Sequence, residues 1–239
     1  MLQGCLNGGR TKLFHPATSC TPEELALDAE RSVRAGAEEL HVHPRDAAGL
    51  ESLRPEPVGK ALLAIRASVP GVPVGISTFW GISPGGRARQ EPIRAWEILP
   101  DYVSVNLIEE DAEEVIGLVL GKGIGVEAGL WSAADAERLV GLADARRCLR
   151  VLIEINEQDA GEGLEVAKGI IAVLDRAGLS LPRLLHGYEK TKWPLFREAL
   201  VRGYDSRIGL EDGALLPSGE RAADNSTLLG AARLMSRNA

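Results

Sequence analysis

Two histidines one residue apart, in "ELHVHPRD" (39–46), are the clearest chemical signal in a chain that holds only four. A β-strand sends alternate side chains to one face, so His41 and His43 emerge side by side. That pair supplies two nitrogen ligands to a metal ion, and a third ligand from elsewhere would leave a position open for chemistry. Glu211, in "SRIGLED" (206–212), is the carboxylate best suited to complete the set. Two histidines and a carboxylate suit zinc, and also iron, manganese or cobalt. The alternative is a pair of hydrogen-bonded core histidines without a metal. Asp212 follows Glu211 directly and can either take a proton from the carbon beside a metal-held carbonyl or cap a loop. Arg207 has the same strand parity as Glu211. A buried guanidinium there needs an anion, either Glu211 or a substrate carboxylate.

The elements that must position these groups alternate along the whole chain. Strand-like runs are 2–7, 39–44, 73–77, 102–107, 124–129, 149–155, 183–187 and 205–210. Helical spacing follows in 21–36, 55–71, 132–145, 161–178, 193–203 and 225–237. The first of these helices has a capping Thr21, a proline at its first position, acidic residues in its first turn and a glycine stop. About eight strand–helix units predict a single (β/α)8 TIM barrel over residues 1–239. An open doubly wound sheet would require a GxGxxG loop after an early strand, and none is present.

In such a barrel the chemistry sits at the C-terminal ends of the strands. Reading those ends in order gives Asn7 and Arg10, then His41 and His43 with Arg45 and Asp46 just beyond, then Ser77 and Thr78, then Ser104 and Asn106. Glu127 follows on strand five, Glu154 with Asn156 and Glu157 on strand six, His186 on strand seven, and Arg207, Glu211 and Asp212 on strand eight. Glu127 stands alone in an apolar strand and contacts either substrate or an internal ion-pair partner. Ser77 and Thr78 can hydrogen-bond an oxyanion, but no GxSxG elbow surrounds them. His15 and His186 are candidates for substrate contact or for ordinary structural roles. The loop "TFWGISPGGRARQEP" (78–92), rich in glycine and arginine, reads as a lid, as a holder of a large substrate's phosphates or as a surface loop, and Trp80 and Trp131 are positioned to wall a pocket.

A net charge of -7 argues against nucleic-acid or membrane-surface binding, which needs a basic face. Three cysteines without a CxxC spacing point to small buried hydrophobes rather than a disulfide framework or a thiolate metal site. No signal-peptide pattern or membrane-length apolar run stands out, so the expected location is the cytoplasm.

The segments "LNGGRTK…HPATSCTPEELALDAERSVRAGAEELHVHPRD" and "SRIGLEDGALLPSGERAADNSTLL" resemble the β-keto acid cleavage enzymes, relatives of 3-keto-5-aminohexanoate cleavage enzyme. "HVHPRD" matches that family's HxHxRD motif and "RIGLED" its R-V-G-L-E-D. The resemblance implies zinc on His41, His43 and Glu211, with a β-keto acid and acetyl-CoA converted to acetoacetate and a new acyl-CoA. It implies Asp212 as the base at the substrate α-carbon and Arg207 as the stabiliser of developing negative charge. Ser77 and Glu127 fall where the family has polar active-site residues, and Asn106 and Arg10 join them as expected substrate contacts. It also implies a homo-oligomer, a dimer or tetramer. This chain departs from the pattern in "GGR", where the family has a "GAE"-like segment, so that Arg10 replaces an acid. That exchange points to a neutral or anionic β-keto acid rather than an amino-keto acid. The other readings are a metal-dependent aldolase or lyase without CoA, and a non-catalytic barrel that binds a small acid.

Overall fold

The computed structural model describes residues 1–237. Its parallel strands are β1 (Leu2–Cys5), β2 (Glu39–Val42), β3 (Val74–Ser77), β4 (Tyr102–Asn106), β5 (Gly125–Leu130), β6 (Arg150–Ile155), β7 (Arg183–Gly187) and β8 (Ser206–Ile208). The helices are α1 (Pro22–Ala35), α2 (Pro55–Ser68), α3 (Gln90–Arg94), α4 (Ala112–Gly121), α5 (Ala133–Gly141), α6 (Ala160–Arg176), α7 (Lys192–Arg202) and α8 (Asn225–Arg237). The sheet runs in the order β7-β6-β5-β4-β3-β2-β1-β8. Its two ends meet through Asp205, whose carbonyl accepts from Leu185 N at 3.0 Å and whose N–H donates to Arg183 O at 3.0 Å. The eight strands therefore close into the expected (β/α)8 barrel.

Local sequence explains most elements. Thr21 Oγ1 accepts from Glu24 N, Pro22 opens α1, and Gly36 ends it in the left-handed conformation at φ 116°. Two helices lie outside the sequence expectation. The five-residue α3 contains Pro92 and follows a 3-10 turn. The other, α4, has a short apolar run that fits a strand as well as a helix, yet it buries Ala112, Val115, Ile116 and Val119 on one helical face. Strand eight is shorter than 205–210. At Gly209 the chain turns across β1, where a Cβ would lie 1.7 Å from Cys5 O. Only glycine fits that approach, and it lifts Glu211 and Asp212 over the barrel mouth.

The barrel floor is polar and closed. The register Ser104↔Glu127↔Arg150 puts these side chains on one level. Glu127 Oε1 accepts from Gln3 Nε2 and Arg150 Nε, each at 2.8 Å, and Arg150 also pairs with Glu39. Tyr102 fills the neighbouring space, which Gly75 leaves open. Glu127 therefore belongs to the floor network and not to the mouth, and its internal ion pair explains a charge in an apolar strand.

Loop 78–92 is fastened at its far end. Fully buried Arg89 donates to Thr78 O at 2.9 Å and to Asp111 at 2.8 Å, and it pairs with Glu109. No described helix is long and apolar enough to cross a membrane.

A second clasp joins β1 to the segment after β8. Asn225 Nδ2 donates to Leu6 O and to Asp28 Oδ2, both at 2.8 Å, and Asn225 Oδ1 accepts from Leu210 N at 2.7 Å. Burial pushes the Asp28 carboxyl up to about 6, although Asn225 and Ser19 donate to it. Its folded-state pKa thus exceeds the unfolded value, so folding holds the proton more tightly. The resulting stability is fully present below about pH 4 and is lost as the pH rises through 6. Asp28→Asn should flatten the stability difference between pH 4 and pH 7 by about 2 kcal/mol relative to wild type. Denaturant melts at the two pH values measure it, and parallel slopes in both proteins would place Asp28 in the ordinary carboxylate range.

Candidate active site

A cavity of about 410 Å³ opens at the C-terminal mouth of the barrel. His41 and His43 rise into it from the end of β2, and Glu211 arrives from the turn after β8. Glu211 Oε1 lies 3.9 Å from His41 Nε2 and 3.7 Å from His43 Nε2. One donor atom from each residue lies within 4.8 Å of the others, a candidate metal site. A larger groove of about 840 Å³ lies beside the starts of α1 and α2. It lacks this convergence of ligating groups, so the chemistry is assigned to the smaller cavity.

The surroundings set the direction and the charge of these three groups. His43 Nδ1 meets Glu51 Oε1 at 2.5 Å, which leaves Nε2 directed at Glu211. Asn7 fixes the strand end by accepting from His43 N at 2.8 Å and donating to His43 O at 2.9 Å. Burial, with the positive charges of Arg207 and His43, holds His41 down at about 4 against the pull of Glu211. Its ring is therefore neutral and able to ligate. Burial also disfavours charge on His43, but Glu211 and Glu51 outweigh it and bring that ring up to about 9. Burial would raise the Glu211 carboxyl, yet Arg207 and the two histidines hold it well below the usual carboxylate range. Glu211 Oε2 is buried without a hydrogen-bond partner. An acceptor left bare beside two imidazoles fits a metal ion better than it fits a self-contained core.

Arg207 organises the other side of the cavity. Its Nη2 donates to Glu211 at 3.0 Å and to Asp212 at 3.3 Å. Its Nε donates to His186 Nδ1 at 3.3 Å. Ser77, Ser104 and Asn106 face the cavity from β3 and β4, with Trp131 as a wall. Arg10 lies at the rim, 4.0 Å from the Phe14 ring centre and 4.8 Å from that of Tyr188, and it pairs with Glu189.

The sequence-predicted residues His41, His43, Glu211, Arg207, Ser77, Asn106 and Arg10 thus come together around one cavity. Glu127 does not, because it is held in the floor. Asp212 is fully buried behind Arg207 and His186 and does not line the cavity. His15 is occupied with Ala222 O at 3.0 Å, a structural contact. Trp131 lines the cavity, whereas Trp80 is half exposed outside it. Glu51 and Tyr188 were not foreseen. Both sit in loops with no motif of their own, and the only available signal for Glu51 was a carboxylate in the loop that follows the histidine strand.

Comparison with known proteins agrees with this geometry. The model of the family described as beta-keto acid cleavage enzyme matches residues 1–162. A 3-keto-5-aminohexanoate cleavage enzyme from Fusobacterium nucleatum subsp. nucleatum is 31% identical over 96 residues, which is 40% of this chain and 34% of that protein. The match spans about a third of that curated relative's length. Apo ObcA superposes with a TM-score of 0.75 at 16% identity, over 94% of this chain and 63% of ObcA. ObcA has also been solved with oxaloacetate, and with a C4-CoA adduct and oxalate. The 3-dehydroquinate dehydratase from Aquifex aeolicus VF5 superposes with a TM-score of 0.59 at 9% identity, over 100% of this chain and 98% of that one. At such identities these structures speak to the fold alone. The family match, covering well over half of the sequence, carries the assignment: this chain belongs to the beta-keto acid cleavage enzyme family.

Proposed function

We propose that this chain is a zinc-dependent β-keto acid cleavage enzyme, condensing a β-keto acid with acetyl-CoA and resolving the adduct into acetoacetate and a new acyl-CoA. The observation that carries the reading is the convergence of His41, His43 and the half-unpartnered carboxylate of Glu211 on a cavity that Arg207 also faces. Zinc held by these three residues would act as a Lewis acid on the keto group and make its α-proton easier to remove.

The chain's own groups supply the rest. Arg207 presents a fixed positive charge where negative charge develops on the substrate. Its neutralisation by Asp212 from behind keeps the guanidinium oriented toward the mouth. Ser77, Ser104 and Asn106 offer hydroxyl and amide groups on the opposite wall. Arg10 at the rim favours a neutral or anionic β-keto acid and disfavours a substrate ammonium by like-charge repulsion. Oxaloacetate, seen bound to ObcA, has the anionic character this rim would accept. A homo-oligomeric, cytoplasmic enzyme completes the reading.

Two measurements test it. Elemental analysis should find about one zinc per chain in wild type and little in Glu211→Gln, while Glu51→Gln should weaken zinc affinity by about 10–100-fold. A wild-type protein that takes up no metal from added zinc would refute the site. Zinc-loaded protein should then consume oxaloacetate or a neutral β-keto acid with acetyl-CoA faster than 3-keto-5-aminohexanoate. Arg10→Glu should shift that ratio toward the amino-keto acid by about tenfold or more, roughly 1.4 kcal/mol. A panel in which wild type prefers the amino-keto acid would overturn the role given to Arg10.

A further inference from the structure

Lys192, the first residue of α7, is fully buried and takes no part in the chemistry described above. Two effects weigh against a cation in that place. Its ammonium is removed from water, and it sits at the positive end of a helix dipole. Burial brings the ammonium down to about 8, although Asp212 and Glu189 favour its charge. Among the described residues, the one hydrogen bond of that ammonium goes to a backbone carbonyl, Gly213 O. We infer that Lys192 is a positioning residue for the reaction, holding in place the turn that carries Glu211 and Asp212. The inference rests on the β-keto acid reading above, in which that turn carries both a zinc ligand and the α-carbon base, Asp212.

The turn is held by its carbonyls. Glu211 O accepts from Arg10 Nε at 3.4 Å, and Asp212 O accepts from Glu189 N at 2.7 Å. Gly213 O accepts from Lys192 Nζ. Ala214 O accepts from Ala222 N and Leu215 O from Trp193 Nε1, each at 2.8 Å. Successive carbonyls from Glu211 to Leu215 therefore each have a separate donor. Those on Asp212, Gly213 and Leu215 are held by residues 189–193, between the end of β7 and the first turn of α7. That segment is a splint along the backbone that follows β8.

Lys192 is the charged donor of the splint, and a charge-assisted hydrogen bond is roughly twice as strong as a neutral one. It also acts next to Asp212. Glu189 and Lys192 hold two consecutive carbonyls, of Asp212 and Gly213, and so fix the backbone from which the Asp212 side chain springs. That side chain needs the help. Its Oδ1 lies 3.3 Å from Arg207 Nη2 and 3.4 Å from His186 Nδ1, but its Oδ2 is buried without a hydrogen-bond partner. The aim of the carboxylate thus depends on the backbone beneath it. A neutral apolar side chain at 192 would leave Gly213 O without its donor, and the peptide would turn toward another partner and carry Asp212 with it. A displacement of about 1 Å at a reacting group costs on the order of 100-fold in rate.

Deuterium exchange isolates the step that depends on this geometry. Acetoacetate is the probe, because it is the proposed product and must fit the same site. Zinc-loaded protein is incubated with acetoacetate in D2O without any thioester, and deuteration of the methylene is followed by NMR above the buffer rate. One C–H bond breaks, its electron pair stays on the substrate as the enolate, the proton passes to the base, and a deuteron returns to the carbon.

Wild type should exchange the methylene. Lys192→Met should lower the maximal exchange rate by about 30–100-fold, with the half-saturating acetoacetate concentration within about threefold of wild type and zinc content unchanged. Its denaturant midpoint should match wild type, because the carbonyl left bare is offset by the buried charge removed. Lys192→Gln keeps an N–H donor for Gly213 O and should recover part of the rate. Trp193→Phe removes the donor two carbonyls further on and should exchange at close to the wild-type rate. Lys192→Met exchanging as fast as wild type would overturn the inference and leave the parent reading intact. Equal losses in Lys192→Met, Lys192→Gln and Trp193→Phe, with lowered denaturant midpoints, would also overturn it by marking the segment as structural alone. Zinc-loaded wild type that neither exchanges acetoacetate nor turns over any β-keto acid would sink the parent reading, and this inference with it.

Discussion

The site is built around one buried positive charge. The Arg207 guanidinium is almost wholly removed from water, and a charge so buried must be compensated, here by carboxylates. Glu211 at 3.0 Å, Asp212 at 3.3 Å and Glu154 at 3.9 Å all stand around its Nη2. The pairing also acts outward. By holding Glu211 ionised, Arg207 delivers a carboxylate to His41 and His43 in the form a cation requires. A neutral residue at 207 would leave three acids crowded at one mouth, each raising the others' pKa.

A barrel interior that carries charge at the mouth must also be closed below. Here the floor is itself ionic. Arg150 is held between Glu127 and Glu39, and Gln3 and Tyr102 fill the remaining hydrogen bonds. The floor and mouth networks are separate, with Cys5 between them. Burial pushes that thiol well up, so it adds no charge to either network. Two ion-pair sets in one interior bring specificity of register rather than net stability. Shifting any strand by one residue would turn these charges into the helix layer.

The period-two spacing of His41 and His43 was sufficient to place them in one cavity, because strand geometry leaves no other outcome. The alternation of elements was likewise sufficient for the barrel. Distinguishing Glu127 from Glu154 was not possible locally. Each is a single carboxylate in an apolar strand, and only the register tells them apart. Glu127 stands level with Arg150, while Glu154 lies four residues further along the strand that carries Arg150. The relation of Arg207 to Glu211 was anticipated by strand parity, but its cause is different. The strand ends at Ile208, and the turn at Gly209 brings the two side chains together while sending Asp212 inward. The contact of Glu51 with His43 was invisible because it arises from the folding of a loop rather than from any spacing.

The rim shows how far this electrostatic arrangement extends. Glu189 adopts φ 50°, a left-handed conformation that costs a non-glycine residue on the order of 1–2 kcal/mol. Its N–H donates to Asp212 O at 2.7 Å and its carboxylate pairs with Arg10. Arg10 in turn donates to Glu211 O at 3.4 Å. The strained residue thus ties the rim cation to the same Glu211–Asp212 turn that supplies the inner carboxylates. The charge presented to an arriving substrate and the charge at the reacting centre share one short stretch of backbone. Placing an arginine at the rim is therefore more than a local matter. The cation is offset by Glu189 and braced by Phe14 and Tyr188, so the chain accommodates it without disturbing the ligand set beneath.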